Sequence, residues 1–233
     1  FDRKNGGVVW DKDLMKNFML LRPALASVVF CGLAACGGGG GADTSATVEP
    51  EVPAPTVPDD TSTLGQRAAA LDLIAQWAPT NPPVYTALSA VPLTGRAEYN
   101  GFIYGSLSNS NDDITDSIIG SLALEVGFNA GGATFSGTAG EFTAEDDTGL
   151  TGNLVVSGGS LNRAGNPAGD ATAQINLGGT LTDAADHDLV FSNVALEGDF
   201  LGSAHNAIGG AALGGVTVDG VSQDFDGGFI AER

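Results

Sequence analysis

The chain has 233 residues, with 28 acids against nine bases and a formal charge of −19 at pH 7. That balance excludes nucleic acid and anionic lipid headgroups as electrostatic partners. Only two cysteines are present, so the fold must rest on an apolar core rather than a disulfide framework.

Residues 1–14 (FDRKNGGVVWDKDL) show no apolar period, and they are expected to lie upstream of a natural initiator at Met15. Residues 15–35 read as a signal peptide: Lys16 and Arg22 form the positive n-region and residues 23–35 the apolar h-region. The run ends in Leu33-Ala34-Ala35-Cys36, which resembles the lipobox of bacterial lipoproteins. This resemblance implies a diacylglycerol on the sulfur of Cys36 and cleavage just before it, making Cys36 the membrane anchor. Small residues at 34 and 35 suit a peptidase that admits only short side chains beside the scissile bond. A spanning helix fits less well, because the apolar run is short, holds Arg22 and Pro23, and meets Gly37 to Gly41. Gly37 is not the aspartate that favours inner-membrane retention in enteric bacteria, so a lipid-anchored outer-membrane location is expected.

Removing residues 1–35 takes away five bases and three acids, leaving four arginines, no lysine and 25 acids, a formal charge of −21. Cys31 leaves with the signal and Cys36 is acylated, so no disulfide remains. Residues 36–62 follow as a glycine-, proline- and acid-rich tether that cannot bury a core and is expected to be disordered or extended.

Residues 63–93 comprise a short helix and a connection. Thr63 and Gln66 match a capping box, Ala70, Leu73, Ile74 and Trp77 share one face, and Pro79 ends the helix. That face is expected to cover an open end of the following domain.

From Thr94 the apolar period changes from 3.6 to 2, with glycine-rich breaks. Strands are predicted at 95–104, 117–128, 132–142, 150–159, 171–181, 189–201, 209–216 and 222–232. Ile118, Leu122, Leu124, Val126 and Phe128 share a face, as do Ala171, Ala173, Ile175 and Leu177. Val194, Leu196, Gly198 and Phe200 do so in the sixth strand, and Phe225, Gly227, Phe229 and Ala231 in the eighth. One apolar face on each of eight strands predicts an all-β fold, a single eight-stranded antiparallel barrel over 94–233. Aromatic girdles are lacking, so a soluble barrel is expected rather than a membrane-spanning one.

The run Gly198-Asp199-Phe200-Leu201-Gly202-Ser203-Ala204-His205-Asn206-Ala207-Ile208-Gly209-Gly210 resembles a recurrent signature of the transferrin-binding-protein-like barrel family. The end Gly227-Gly228-Phe229-Ile230-Ala231-Glu232-Arg233 is similar to that family's closing strand. The resemblance covers about residues 94–233 and implies a barrel behind a lipobox and flexible anchor. Phe200 would plug the bore, a short helical turn would pass its rim near Gly202 and Ala204, and Gly209-Gly210 would restart the final hairpin. The large members have two lobes, each with a handle domain, whereas this chain has one barrel and no room for a handle. Single-barrel relatives include haem binders and complement-regulator binders. The expectation is a non-enzymatic binding lipoprotein whose partner is an extracellular protein or a haem- or iron-bearing ligand. The alternative is a structural or antigenic lipoprotein without a small ligand, which a filled bore would favour.

Catalytic motifs are missing: neither G-x-S-x-G nor H-E-x-x-H occurs. His205, in the rim segment, is the candidate haem ligand, with Tyr99, Tyr104 or His187 as a second contact. No cofactor is otherwise expected, and no metal site. Asn109-Ser110-Asn111-Asp112-Asp113 mimics the start of a calcium loop without its sixth-position glycine or distal glutamate. Asp186-His187-Asp188 reads as a solvated acidic turn, and Glu145-Asp146-Asp147, Asp224 and Asp226 as hairpin-turn acids.

Overall fold

The computed structural model describes residues 63–78, 83–164 and 172–233. The expected signal peptide, Cys36 and the tether lie outside these residues, as do Pro79, Pro82 and Ala171. Among the described residues no helix is long and apolar enough to cross a membrane.

Helix α1 (Thr63–Trp77) precedes eight strands: β1 (Gly95–Ser108), β2 (Ile114–Asn129), β3 (Gly132–Ala144), β4 (Thr151–Asn162), β5 (Thr172–Thr182), β6 (Asp188–Leu201), β7 (Ala207–Val218) and β8 (Val221–Glu232). Each pairs antiparallel with its sequence neighbour, and β1 pairs with β8 to close the barrel. Closure gives every strand a neighbour on both sides, with the thinnest pairing between β3 and β4. Every predicted strand is present, and most run a few residues further into their turns. One turn assignment changes, since Asp224 and Asp226 lie inside β8, while Gly209 and Gly210 stand near the start of β7, the first strand of the final hairpin.

Alternation decides what points inward. Ile118, Leu122, Leu124, Val126 and Phe128 of β2 meet Ala173, Ile175 and Leu177 of β5 in one buried cluster. Val194, Leu196 and Phe200 of β6 and Phe225, Phe229 and Ala231 of β8 complete it. The bore is filled rather than hollow. Phe191 meets Phe225 edge-on at 5.8 Å, and Phe200 lies 5.8 Å from Phe128 and 5.9 Å from Tyr99. Glycines in the strands make room for these rings. A β-carbon at Gly198 would lie 2.7 Å from the Phe229 ring, and one at Gly105 2.5 Å from Phe225. Burying one such aromatic contributes roughly 1.5–3 kcal/mol.

The wall has one thin seam. β3 and β4 share only the Thr138↔Val155 and Ala139↔Leu154 pairs, plus a bridge from Thr143 to Gly149. The neighbouring β4–β5 ladder runs from Thr151↔Thr182 to Asn162↔Thr172.

Helix α1 departs from expectation in where it lies. It does not cover an end; it runs down the outer wall across β2, β1 and β8. Its predicted apolar face is the one used: Leu73, Ile74 and Trp77 pack on the outward Leu201, Ala207 and Ile230. The Thr63 and Gln66 side chains bond to the wall rather than to each other. Thr63 Oγ1 donates to the Ala144 carbonyl (2.8 Å) and Gln66 Nε2 to the Glu141 carbonyl (2.8 Å). At the far end Trp77 Nε1 donates to Glu232 Oε2 at 2.8 Å. Apolar outward residues on this part of the wall, which periodicity alone cannot place, are the reason the helix binds there.

Candidate functional site

The barrel has two chemically different ends. At the first lie the β2–β3 and β6–β7 connections, the starts of β1 and β5 and the finishes of β4 and β8. Residues 83–94 close this end. Thr86 N donates to the Phe200 carbonyl (2.8 Å), Gly202 N to Val84 (3.0 Å), and Thr86 Oγ1 to Gly202 (2.7 Å). A 3₁₀ turn at Leu88–Ala90 then lowers Leu88 and Val91 onto the core cluster. Arg163 ties the strap down from the opposite rim, donating to the carbonyls of Gly132 (3.2 Å), Val91 (3.4 Å) and Pro92.

His205 sits under this strap in a turn rather than a helix, at φ +49° and only 9% exposed. Phe128 faces its ring edge-on at 5.6 Å, and Phe200 at 6.5 Å. Arg233 Nη1 lies 3.2 Å from His205 Nε2, so that nitrogen accepts and Nδ1 carries the proton of the neutral ring. Nδ1 has no hydrogen-bond partner of good geometry, although the Ala90 carbonyl lies close enough to favour protonation slightly. Burial, then the Arg233 charge, holds the ring below the usual histidine range.

Tyr99 joins His205 here, its Oη donating to the His205 carbonyl at 2.9 Å. Burial raises its phenol well above the ordinary tyrosine range. Tyr104 is not part of this group. It points out of the wall, with its hydroxyl 2.7 Å from where a β-carbon on Gly228 would sit. His187 stands at the opposite end of the barrel.

Haem does not fit this arrangement. An axial ligand needs an exposed imidazole nitrogen and a flat apolar slot beside it. Here Nε2 faces Arg233, two phenylalanines box the ring, and the strap covers the end.

At the second end the β1–β2, β3–β4, β5–β6 and β7–β8 turns surround a cavity of about 640 Å³. Its floor is apolar, made by Leu107, Leu150, Leu189 and Val218, and its rim is acidic, made by Asp116, Glu145, Asp146 and Asp183. Asp116 is half-buried. Burial raises its carboxyl, and the Asp146 and Glu145 charges add to this against the Ser117 and Glu145 amides. Asp146 moves the other way, because Thr148 donates to it at 2.9 Å.

His187 spans two of these turns. Its Nδ1 lies 3.0 Å from Asp183 Oδ2 and its Nε2 3.6 Å from Asp219 Oδ2. The Asp183 hydrogen bond, then the Asp183 and Asp219 charges, raise it above the usual histidine range. The Asn109 loop is a closed turn, its side-chain oxygen accepting from the Asn111 (2.9 Å) and Asp113 (3.2 Å) amides. Among the described residues no three His, Cys, Asp or Glu side chains converge as a metal site. The cavity escaped the sequence reading because its residues are spread over eight strand ends; turns rich in acids were the only trace of it.

These features define a closed, filled eight-stranded antiparallel barrel with one strapped end and one open, acidic end. No family model and no curated protein matches the chain. Among solved structures it is similar to the vaccine antigen Transferrin Binding Protein B, mutant Trp-176-Ala, from Haemophilus parasuis Hp5. The identity is 19% over 64% of this chain and 28% of that one, with a TM-score of 0.37. The chain thus spans less than a third of that protein's length, and a likeness this distant carries no argument about ligand or partner.

Proposed function

We propose that this is a non-enzymatic, lipid-anchored protein of the outer envelope that presents its barrel to a partner from a tether held at Cys36. The observation that supports recognition on the outside is the filled bore. Phe128, Phe191, Phe200, Phe225 and Phe229 occupy the space where a barrel that holds a small ligand keeps its cavity. Haem on His205 is not part of this reading, since that ring is boxed and engaged. The filled bore also favours the second reading, a structural or antigenic lipoprotein with no small ligand.

Anchoring is tested by expressing the full chain and Cys36→Ser in a bacterium with labelled fatty acid. The expected result is label on the parent and none on the variant, because the diacylglycerol is carried by the Cys36 sulfur and a diacylglycerol anchors stably. An unlabelled parent, or label that persists in the variant, would overturn the reading.

A further inference from the structure

The outer wall holds a depression of about 390 Å³ over β4, β5 and β6, lined by Gly159, Ser160, Gln174, Asn176, Ala195 and Glu197. Strand register explains its shape. Ser160, Gln174 and Glu197 stand opposite one another in one cross-strand row, and Gly158, Asn176 and Ala195 in the next. The second row carries side-chain bulk only at Asn176, since a β-carbon on Gly158 would meet nothing within 4 Å and Ala195 stops at its methyl. The β4–β5 register shifts between Val156 and Gly158, a bulge of the kind that re-aims side chains.

The chemistry of this groove differs from that of the rest of the chain. β4 and β5 contain no charged residue, although the sequence holds 28 acids. Among the described residues the Ser160, Gln174 and Asn176 side chains make no hydrogen bond, whereas Ser157 and Thr172 beside them donate to the Asn176 carbonyl and to Asp199. Each free amide offers two donors and an acceptor, the hydroxyl offers both roles, and Glu197 adds a carboxylate that accepts. A metal ion finds a single carboxylate here, and an anion meets that carboxylate and a net charge of −19. An apolar molecule finds only Gly159 and Ala195 without a polar side chain. A protein partner lacks the aromatic or arginine anchor around which interfaces concentrate their energy. What fits is a neutral molecule dense in hydroxyls, each of which donates and accepts.

We infer that this groove binds a neutral saccharide, with Ser160, Gln174, Asn176 and Glu197 as its hydrogen-bonding set and with Gly158 and Ala195 leaving the space for a sugar ring. The inference rests on the proposed function and deepens it, naming a ligand class for a barrel whose filled bore leaves recognition to its outer surface.

The test is native electrophoresis of the purified full chain through gels that each hold one neutral polysaccharide: dextran, galactomannan or hydroxyethylcellulose. Retardation by at least one is expected. The dissociation constant it yields should rise at least tenfold in Q174A/N176A, and also in A195L, which fills the notch. S136A/T138A, which trims exposed hydroxyls from β3 of the neighbouring wall, should change it less than twofold. Anionic polygalacturonate should not retard the chain. Competition by a hexasaccharide of the same sugar identifies a free oligosaccharide as the ligand, and its absence a polymer; both uphold the site. No retardation by any neutral gel overturns the proposal, as does equal retardation by polygalacturonate or an equal loss in S136A/T138A. Thermal melts identify any loss that comes from unfolding, and A195L keeps every hydrogen-bonding group of the groove should Q174A/N176A misfold. None of these outcomes alters fatty-acid labelling at Cys36, so failure here is separable from failure of the anchored-protein reading.

Discussion

At the strapped end Tyr99, Phe128, Phe200 and His205 fill the bore, and residues 83–94 with Arg163 cover them. At the open end four hairpin turns stand round a hollow whose carboxylates face one another. One end uses most of its polar groups on itself, carbonyl by carbonyl. At the other, Asp116, Asp146 and Asp183 accept from turn amides while their charges crowd one another, which costs stability through self-repulsion. Fold strength is therefore expected to vary along the barrel axis, and substitutions at the two ends should behave differently.

The largest effect is expected from Phe200→Ala. It removes a ring touching Tyr99, Phe128 and His205 at once, and should cost about 3–5 kcal/mol in denaturant unfolding. Asp146→Ala, equally central to the other end but exposed, should stay within about 0.5 kcal/mol. Comparable losses would mean the open end is structural too. Next in size is Arg163→Ala, which strips donors from the Gly132, Val91 and Pro92 carbonyls and should cost about 1–3 kcal/mol. Arg163→Lys should recover only part, because one ammonium cannot reproduce the planar fork. Tyr99→Phe deletes one buried donor, and about 1 kcal/mol is expected by the same measurement.

Much of the fold was legible because the strands obey a period of two. Leu122 to Phe128 alternate cleanly, and glycine breaks bound the strands, so both the barrel and its inward faces follow from pattern. The helix face was legible for the same reason, since Ala70, Leu73, Ile74 and Trp77 repeat at 3.6. Where that helix docks was not, because its receptor is built from Leu201, Ala207 and Ile230, outward residues of three strands. The site was half legible. A histidine in the rim segment and a tyrosine on the inward face of β1 do converge, while Tyr104, an odd number of residues from Tyr99, had to face the other way. The open cavity and the strap depend on which turns closure brings together, and local pattern carries no record of that.

The smallest predicted effect is the sharpest comparison, because the two histidines should bend the pH profile in opposite directions. His205 is held below its ordinary value by burial and then by Arg233, so the unfolded chain takes up a proton near pH 6.5 that the folded one refuses. Its contribution is steady above about pH 6.5, and stability falls as pH drops from there toward the folded value. His187 is held above its ordinary value by its hydrogen bond to Asp183 and then by the Asp183 and Asp219 charges. Its contribution is fully present below about pH 6.5 and is lost as pH rises through the folded value. Melting the parent, His205→Asn and His187→Asn between pH 5 and 8 separates the two, with asparagine chosen because it tolerates the positive φ at 205. The parent's advantage over His205→Asn should shrink on acidification, and its advantage over His187→Asn should grow slightly. Parallel profiles for the two variants would mean that the strap does not shield His205 and that the ends are electrostatically alike.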